Sequence, residues 1–466
     1  MIKKYTAPEE ESTPKMIVGL DIGTTKILMV MGFLSDDGKI VVCGHGKAPS
    51  TGVKSGGVFN LQETINDITA AKEQLLENIS ENEDISEVYV GIAGRHVKSL
   101  SCINSVTRPG GNDKMVMPEE IQKMTEEMKQ MDFSGSDIIA VIPQFYEVDG
   151  QATTRPAGTL CQLLVGHYQI VTGDSKEVKK VFSSVRGAGL EPKEPVLEPI
   201  ASGIVCLTEE EKKAGVALVD IGGGTTDLVI FHGGVPVYSK VIPVGGKIVT
   251  HDIESSLNLQ FEQAEYLKIH HGTCIPNNAN KNNFLTIPDS SGYGNSVKIN
   301  EVNLAQIIGV RVAEDILKPV KAAIDAAHFS KVVRSVVLTG GGSLLRDIQY
   351  LAEFIFQYRT RIGFPVNGLA NSTDTSLKNP ICSTGLGLLK FGCMAEAVVQ
   401  EVKKEQPAEL VDEDTLLQRL KKKLSIPAKS PSSDSQNGGD NEGAGLFENF
   451  MEWVKRNWIS PGDGVE

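Results

Sequence analysis

VALVDIGGGTTDLVIF, residues 216–231, decides how the rest of the chain is read. Two apolar runs, each long enough for a strand, flank Asp220-Ile221-Gly222-Gly223-Gly224-Thr225-Thr226-Asp227. Strand, glycine turn and strand make a β-hairpin. Three consecutive glycines cost backbone entropy and pack nothing, so packing alone does not justify the turn. Its N–H groups and threonine hydroxyls suit phosphate oxygens. An aspartate at the strand end suits Mg²⁺, held mostly through the metal's waters.

The same theme occurs once in the first half of the chain. MIVGLDIG and KILMVMGF surround Asp21-Ile22-Gly23-Thr24-Thr25-Lys26. Alone, this copy reads equally as a plain turn. With the second it gives what a symmetric clamp on a polyphosphate requires, one loop from each half. Thr339-Gly340-Gly341-Gly342-Ser343 follows a buried run, SVVL, and precedes a helix, a position that suits close approach of a nucleoside to the backbone. Neither G-x-x-x-x-G-K-[ST] nor G-x-G-x-x-G after the first strand occurs, so a P-loop and a Rossmann site are not supported.

Outward from these hairpins the chain divides by composition. Residues 1–15 form a polar leader, basic in places but with no apolar core behind it, so no secretory signal is expected. A third strand is expected near 40–44, a helix capped by Asn60, and a buried strand at 88–94. Residues 95–167 read as an α+β insertion: a polar Gly/Pro-bearing stretch, an acidic-starting helix in MPEEIQKMTEEMKQM, then strands in IIAVIPQFYEV and LCQLLVGHYQIV. A helix over 174–188 ends at Gly189, another follows Glu198-Pro199, and two lie near 247–270. The polar region 272–298 holds loops and short strands, and the long helix near 301–328 should kink or break at Pro319. A Gly-rich helix near 383–399 closes the folded body.

At roughly 100–200 residues per domain, 466 residues give two to four domains. The formal charge of −13, from 59 acids against 46 bases, argues against a nucleic-acid partner. No run of about eighteen apolar residues exists, so no transmembrane helix is expected. The seven cysteines are scattered, never C-x-x-C, and the eight histidines form no H-x-x-x-H pair. They read as reduced thiols, mostly small buried hydrophobes, in a cytoplasmic protein without a zinc site.

The two hairpins and the Thr339–Ser343 turn together resemble the two phosphate motifs and the adenosine motif of the actin/DnaK/sugar-kinase superfamily. PSTGVKSGGVFNLQETINDI, IIAVIPQFYEVDGQ, the Arg155-Pro156-Ala157-Gly158 turn and NPICSTGLGLLKFG narrow the resemblance to the FtsA family of bacterial cell-division proteins, over about 16–400 plus the tail. It implies an α/β actin-like ATPase fold, two lobes around a nucleotide cleft, with the family's inserted subdomain 1C. Its bounds would be 16–94 and 168–197 for the first lobe, 95–167 for the insertion, 198–252 and 331–400 for the second lobe, and 253–330 for subdomain 2B. The last helix of the second lobe is free to pack on the first.

By the same resemblance the cofactors are ATP and Mg²⁺. Asp21 and Asp220 would serve the metal, with Gly23, Thr24 and Thr25 at the β-phosphate. Gly222, Gly223, Gly224 and Thr225 would cradle the β/γ-phosphates, braced by Asp227. Glu198 would orient the attacking water, Glu265 and Lys268 would meet ribose and adenine, and Gly340, Gly341 and Gly342 the adenosine. Two simpler readings stay open: Glu198 as an acid suited to a helix start, and Glu265/Lys268 as a solvated ion pair three residues apart. Lys26 is left unassigned, because strand alternation turns it equally to solvent. The motifs speak for nucleotide binding more than for turnover, which also needs a placed water and charge neutralisation.

From 401 to 445 the composition falls to Lys, Glu, Ser, Asn, Asp and Gly, a flexible linker spanning roughly 35–40 Å. On a helical wheel of about 100° per residue, Leu446, Phe447, Phe450, Met451, Trp453, Val454 and Trp458 fall within roughly 160°. Both tryptophans of the chain lie here, so 446–459 reads as an amphipathic helix at a bilayer interface. Docking onto the body or a partner groove is the alternative. One such tail binds weakly and several on one polymer bind firmly. The resemblance then implies a polymerising, peripheral adaptor that tethers FtsZ and other division proteins to the cytoplasmic face of the cell membrane at the division site. A pilus-assembly ATPase of related fold is the alternative, and a small-molecule kinase or DnaK-type chaperone a weaker one, since nothing after about 402 is long or apolar enough for a peptide-binding domain.

Overall fold

Two five-stranded sheets of one design carry the two hairpins. The computed structural model describes residues 15–79, 85–108, 115–288, 296–327 and 329–404. The linker beyond 404 and the amphipathic segment 446–459 lie outside the described residues.

In the first sheet the order is Glu191–Leu197, Glu87–Ile92, Ile17–Ile22, Lys26–Leu34, Ile40–Pro49. The first three run parallel and the last two antiparallel. The second sheet repeats this pattern with Arg359–Ile362, Ser335–Thr339, Val216–Ile221, Thr226–His232 and Val235–Ile242. Ile17–Ile22 is buried along its whole length and Val216–Ile221 nearly so. Both sheets are covered on both faces, which is why these strands read as continuous apolar runs rather than alternating ones. Asn60 caps helix Leu61–Glu77, its side chain accepting from the N–H groups of Gln62 and Glu63.

Two helices lie between the sheets. Glu198–Cys206 and Ser383–Lys404 share one core with both sheets, joining Ile200, Ala201, Leu386 and Leu389 to Leu20 and Leu28 on one side and Leu218 and Phe231 on the other. A second core fills the far face of the second sheet, under helices Gly246–Leu257, Phe261–His270, Glu301–Arg311 and Ile348–Phe356. The final helix runs to Lys404, past the expected end at 399.

The insertion is an antiparallel sheet ordered Lys98–Thr107, Leu163–Asp174, Ser136–Val148, Gln151–Thr153, with helix Pro118–Lys129 over a small core of its own. The sequence reading gave the start of the insertion only as a polar Gly/Pro-bearing stretch, and the structure places a strand there. Lys98–Thr107 is a ten-residue edge strand, alternating exposed and half-buried. A second strand not expected, Glu191–Leu197, carries Pro192 and Pro195; it is an edge strand, where a missing N–H costs no ladder bond on its outer side. Before Pro319 the helix widens into a π-turn over Val312–Leu317, and Lys318–Ala326 restarts with the proline in its first turn, where its missing N–H is tolerated. Cys161, Cys206, Cys274, Cys382 and Cys393 are free thiols and buried.

Candidate functional site

The two hairpin turns have the same geometry. Gly23 N–H donates to the Lys26 carbonyl at 3.0 Å, and Gly222 N–H to the Thr225 carbonyl at 2.9 Å. They face each other. A methyl at Gly223 would strike the Thr25 side chain, and one at Gly224 would lie 2.7 Å from Thr24 Oγ1 and 3.0 Å from Ser55 Cα. Glycine is therefore required here by close approach between the lobes. Thr24 Oγ1 also accepts from Gly56 N–H at 3.1 Å, which ties the first turn to the segment before helix Leu61–Glu77.

Below the turns sits an acid cluster. Asp21 ends its strand beside Lys26, with which it forms an ion pair. Asp220 ends the equivalent strand and accepts from Ser202 Oγ at 2.8 Å, while Ser202 bonds Thr384 Oγ1 at 3.1 Å. Asp227 lies opposite Asp220 in the hairpin register and accepts from Thr225 Oγ1 at 3.0 Å. Its other oxygen, Oδ1, is buried with no hydrogen-bond partner among the described residues. Glu198 opens the inter-sheet helix, so the sequence expectation of a helix-start acid holds, but the residue is also a member of this cluster.

The charges respond to that crowding. Burial first, then the charges of Asp21, Asp227 and Asp220, hold the Glu198 carboxyl well above the carboxylate range, against Lys26. Burial, opposed by the Ser202 hydrogen bond and joined by the charge of Asp21, pushes Asp220 up to about 6. Burial and the charge of Asp220 push Asp227 up to about 7. Burial pulls the Lys26 ammonium down, yet the charge and hydrogen bond of Asp21 outweigh it and leave the pKa raised.

The third glycine turn closes the same end of the second sheet. Asp220 pairs with Thr339 in register, and Gly340, at φ +79°, passes so close that a side chain there would meet the Asp220 carboxylate and lie 2.7 Å from the Ile221 carbonyl. A methyl at Gly342 would strike Ile221, whereas one at Gly341 would lie 3.6 Å from Ile381 in ordinary contact. Glu265 and Lys268 do form an ion pair, at 2.6 Å, but only its Glu265 end is partly solvated: Lys268 is 8% exposed. Its ammonium also donates to Thr250 Oγ1 at 2.8 Å and to the Gly246 carbonyl at 3.2 Å, so its three protons hold the start of helix Gly246–Leu257.

Four participants were not read from the sequence. Lys26 turns inward to Asp21. Ser202 stands one helical turn after Glu198, a spacing that signals a shared face. Thr384 belongs to the inter-sheet helix Ser383–Lys404, which packs on Ile17–Ile22 and Lys26–Leu34 of the first sheet. Lys247 follows a Gly-Gly pair whose backbone docks on the second turn.

Relatives of the chain agree with this architecture. The family profile described as "Cell division protein FtsA" matches residues 217–387, and the one described as "SHS2 domain inserted in FTSA" matches 94–172. Cell division protein FtsA of Neisseria meningitidis is 34% identical over 418 residues, covering 88% of this chain and 98% of that protein. That of Pseudomonas aeruginosa is 34% identical over 388 residues, covering 82% and 90%; that of Escherichia coli is 29% identical over 387 residues, covering 81% and 90%. Among solved structures, the PilM–PilN type IV pilus biogenesis complex aligns with a TM-score of 0.54 at 17% identity, over 81% of this chain and 98% of that one. MreB5 of Spiroplasma citri bound to AMPPNP aligns at 0.51 and 15% identity, over 86% and 100%. At such identities the pilus and MreB structures speak for the shared actin-like fold alone. With its mixed α/β lobes, its inserted domain and full-length relatives a third identical, the chain belongs to the FtsA family of cell division proteins.

Proposed function

We propose that this chain binds Mg-ATP between its lobes, polymerises in that state, and tethers FtsZ to the cytoplasmic face of the membrane through residues 446–459. The observation that carries the reading is the opposition of two turns closed by the same hydrogen bond, Gly23–Lys26 and Gly222–Thr225, above one acid cluster. A polyphosphate between them would meet backbone N–H groups and the hydroxyls of Thr24, Thr25 and Thr225 from both sides. Gly340–Gly342 would run beside the nucleoside, and Glu265 would meet the ribose from a position that Lys268 fixes.

The residues fit a magnesium ion. Among the described residues no three His, Cys, Asp or Glu side chains converge into a cage. Mg²⁺ asks for less, one or two carboxylates, its own waters and the substrate's phosphates. Asp21 and Asp220 supply the carboxylates, and the unpartnered Oδ1 of Asp227 is an acceptor for a metal-bound water. Bound there, Mg²⁺ would supply charge neutralisation for the phosphates. Its charge would also draw the raised carboxyl pKa values down, which frees Glu198 to orient a water.

MreB5, which shares the fold, was solved with AMPPNP, and that supports a nucleotide in the equivalent cleft. Titrating Mg-ATP into the purified full-length chain in a calorimeter tests the core of the proposal. One equivalent bound per chain, lost on Gly224→Ala, is expected; a folded chain that ignores Mg-ATP refutes it.

A further inference from the structure

Helix Gly246–Leu257 begins against the second glycine turn. The N–H groups of Gly246 and Lys247 donate to the carbonyls of Gly222 and Gly223 at 2.8 and 2.9 Å. The backbone of Lys247 thus belongs to the second lobe. Its side chain does not stay there. Nζ reaches across and donates to the carbonyl of Thr24, in the first lobe's turn, at 3.1 Å. One residue therefore touches both turns.

The partner it reaches is a poor one for a cation. Lys26 has Asp21 and Lys268 has Glu265, but among the described residues Lys247 makes no ion pair. A neutral carbonyl satisfies one of the three ammonium protons and none of the charge. Burial lowers the ammonium's pKa, with the charge of Glu265 opposing. A half-buried cation beside two anion-cradling turns, holding one neutral acceptor, has capacity for an anion that would relieve the cost of its burial.

We infer that Lys247 is the side chain by which the second lobe grips the polyphosphate of a nucleoside di- or triphosphate, using its remaining N–H groups while the Thr24 carbonyl keeps it in place across the cleft. The inference rests on the reading of the cleft as an ATP site and adds a residue that no glycine or acid motif names. It has two consequences. The lysine adds to the phosphates a positive charge that the acid cluster and its one cation, Lys26, do not supply. It also makes bound polyphosphate a bridge between lobes, so that the phosphates, rather than the base, hold the cleft closed.

The test is calorimetric titration of full-length wild type, Lys247→Met and Lys247→Arg with Mg-ATP, Mg-ADP and adenosine, each variant first shown to unfold near the wild-type temperature without nucleotide. A charge-assisted phosphate contact predicts that Lys247→Met loses about 10- to 100-fold in affinity for Mg-ATP and Mg-ADP, while adenosine stays within about two-fold. Lys247→Arg, which keeps the charge, should recover most of the loss. Lys247→Met binding Mg-ATP as tightly as wild type overturns the inference, and so does an equal loss for adenosine or no difference between the Met and Arg variants. Wild type that takes up neither Mg-ATP nor adenosine overturns the cleft reading itself, a result distinct from a tight wild type with an equally tight Met variant.

Discussion

Lys26 stands among four acids, Asp21 and Asp227 buried and Glu198 and Asp220 half-buried, as the cation paired to Asp21 and opposing the raised pKa of Glu198 and Asp220. Removing one partner of a buried pair strands the other's charge, so Lys26→Met should cost about 3–5 kcal/mol in urea unfolding. Adding Asp21→Asn to Lys26→Met should return part of that loss, because the stranded charge goes with it. A neutral Lys26→Met would mean that the acids are solvated after all. The acids and glycines were legible in the sequence, since Asp-Ile-Gly followed by threonines at a strand end, occurring twice, speaks of turn chemistry. Lys26 was not, because it sits where the turn re-enters the strand and alternation gives it no definite face. Nor was the company of Glu198, Ser202 and Thr384, which comes together only once two helices cross between the sheets.

Those two helices meet through a glycine. A methyl at Gly387 would press on the backbone of Ala201 and lie 3.0 Å from Ser202 N, so Gly387→Ala must push the crossing apart. Overpacking of this kind costs about 1–3 kcal/mol, readable as a lowered thermal midpoint, and an unchanged midpoint would show the crossing to be soft. One turn away, Lys390 donates to the carbonyls of Asn367 and Ile204 at 2.9 and 3.3 Å. Burial, and then the charge of Lys212, lowers its pKa from 10.5 to about 8. Below that value both folded and unfolded chains hold the proton and the burial cost is constant. Between about 8 and 10.5 the unfolded chain holds more protons, so stability rises with pH. Relative to Lys390→Met, wild type should gain about 1–2 kcal/mol in denaturant unfolding between pH 7 and pH 9.5, and a pH-independent difference would contradict this. At this scale the sequence was clearest where strands are buried on both faces, as in the two hairpins. It was least clear at edges: Lys98–Thr107 hides its alternation behind serines, and Glu191–Leu197 carries two prolines that argue against a strand anywhere except an edge.

Across the whole molecule the repeated sheet explains why two distant sequence copies come to face each other. Each copy ends a central strand of its own sheet, and the crossing helices bring those strand ends together. A cleft built this way couples its two walls to whatever lies between them, and the proposed consequence is assembly and membrane attachment that reinforce each other. The amphipathic pattern read at 446–459 lies outside the described residues and stands as a proposal. Co-sedimentation with anionic lipid vesicles, using full-length and 1–440 chains with and without Mg-ATP and FtsZ, measures nucleotide, tail and partner together. The account predicts that full-length chain with Mg-ATP carries FtsZ into the pellet, that omitting Mg-ATP weakens this, and that 1–440 abolishes it. Equal pelleting of FtsZ by the 1–440 chain, or by full-length chain whether or not Mg-ATP is present, would contradict it.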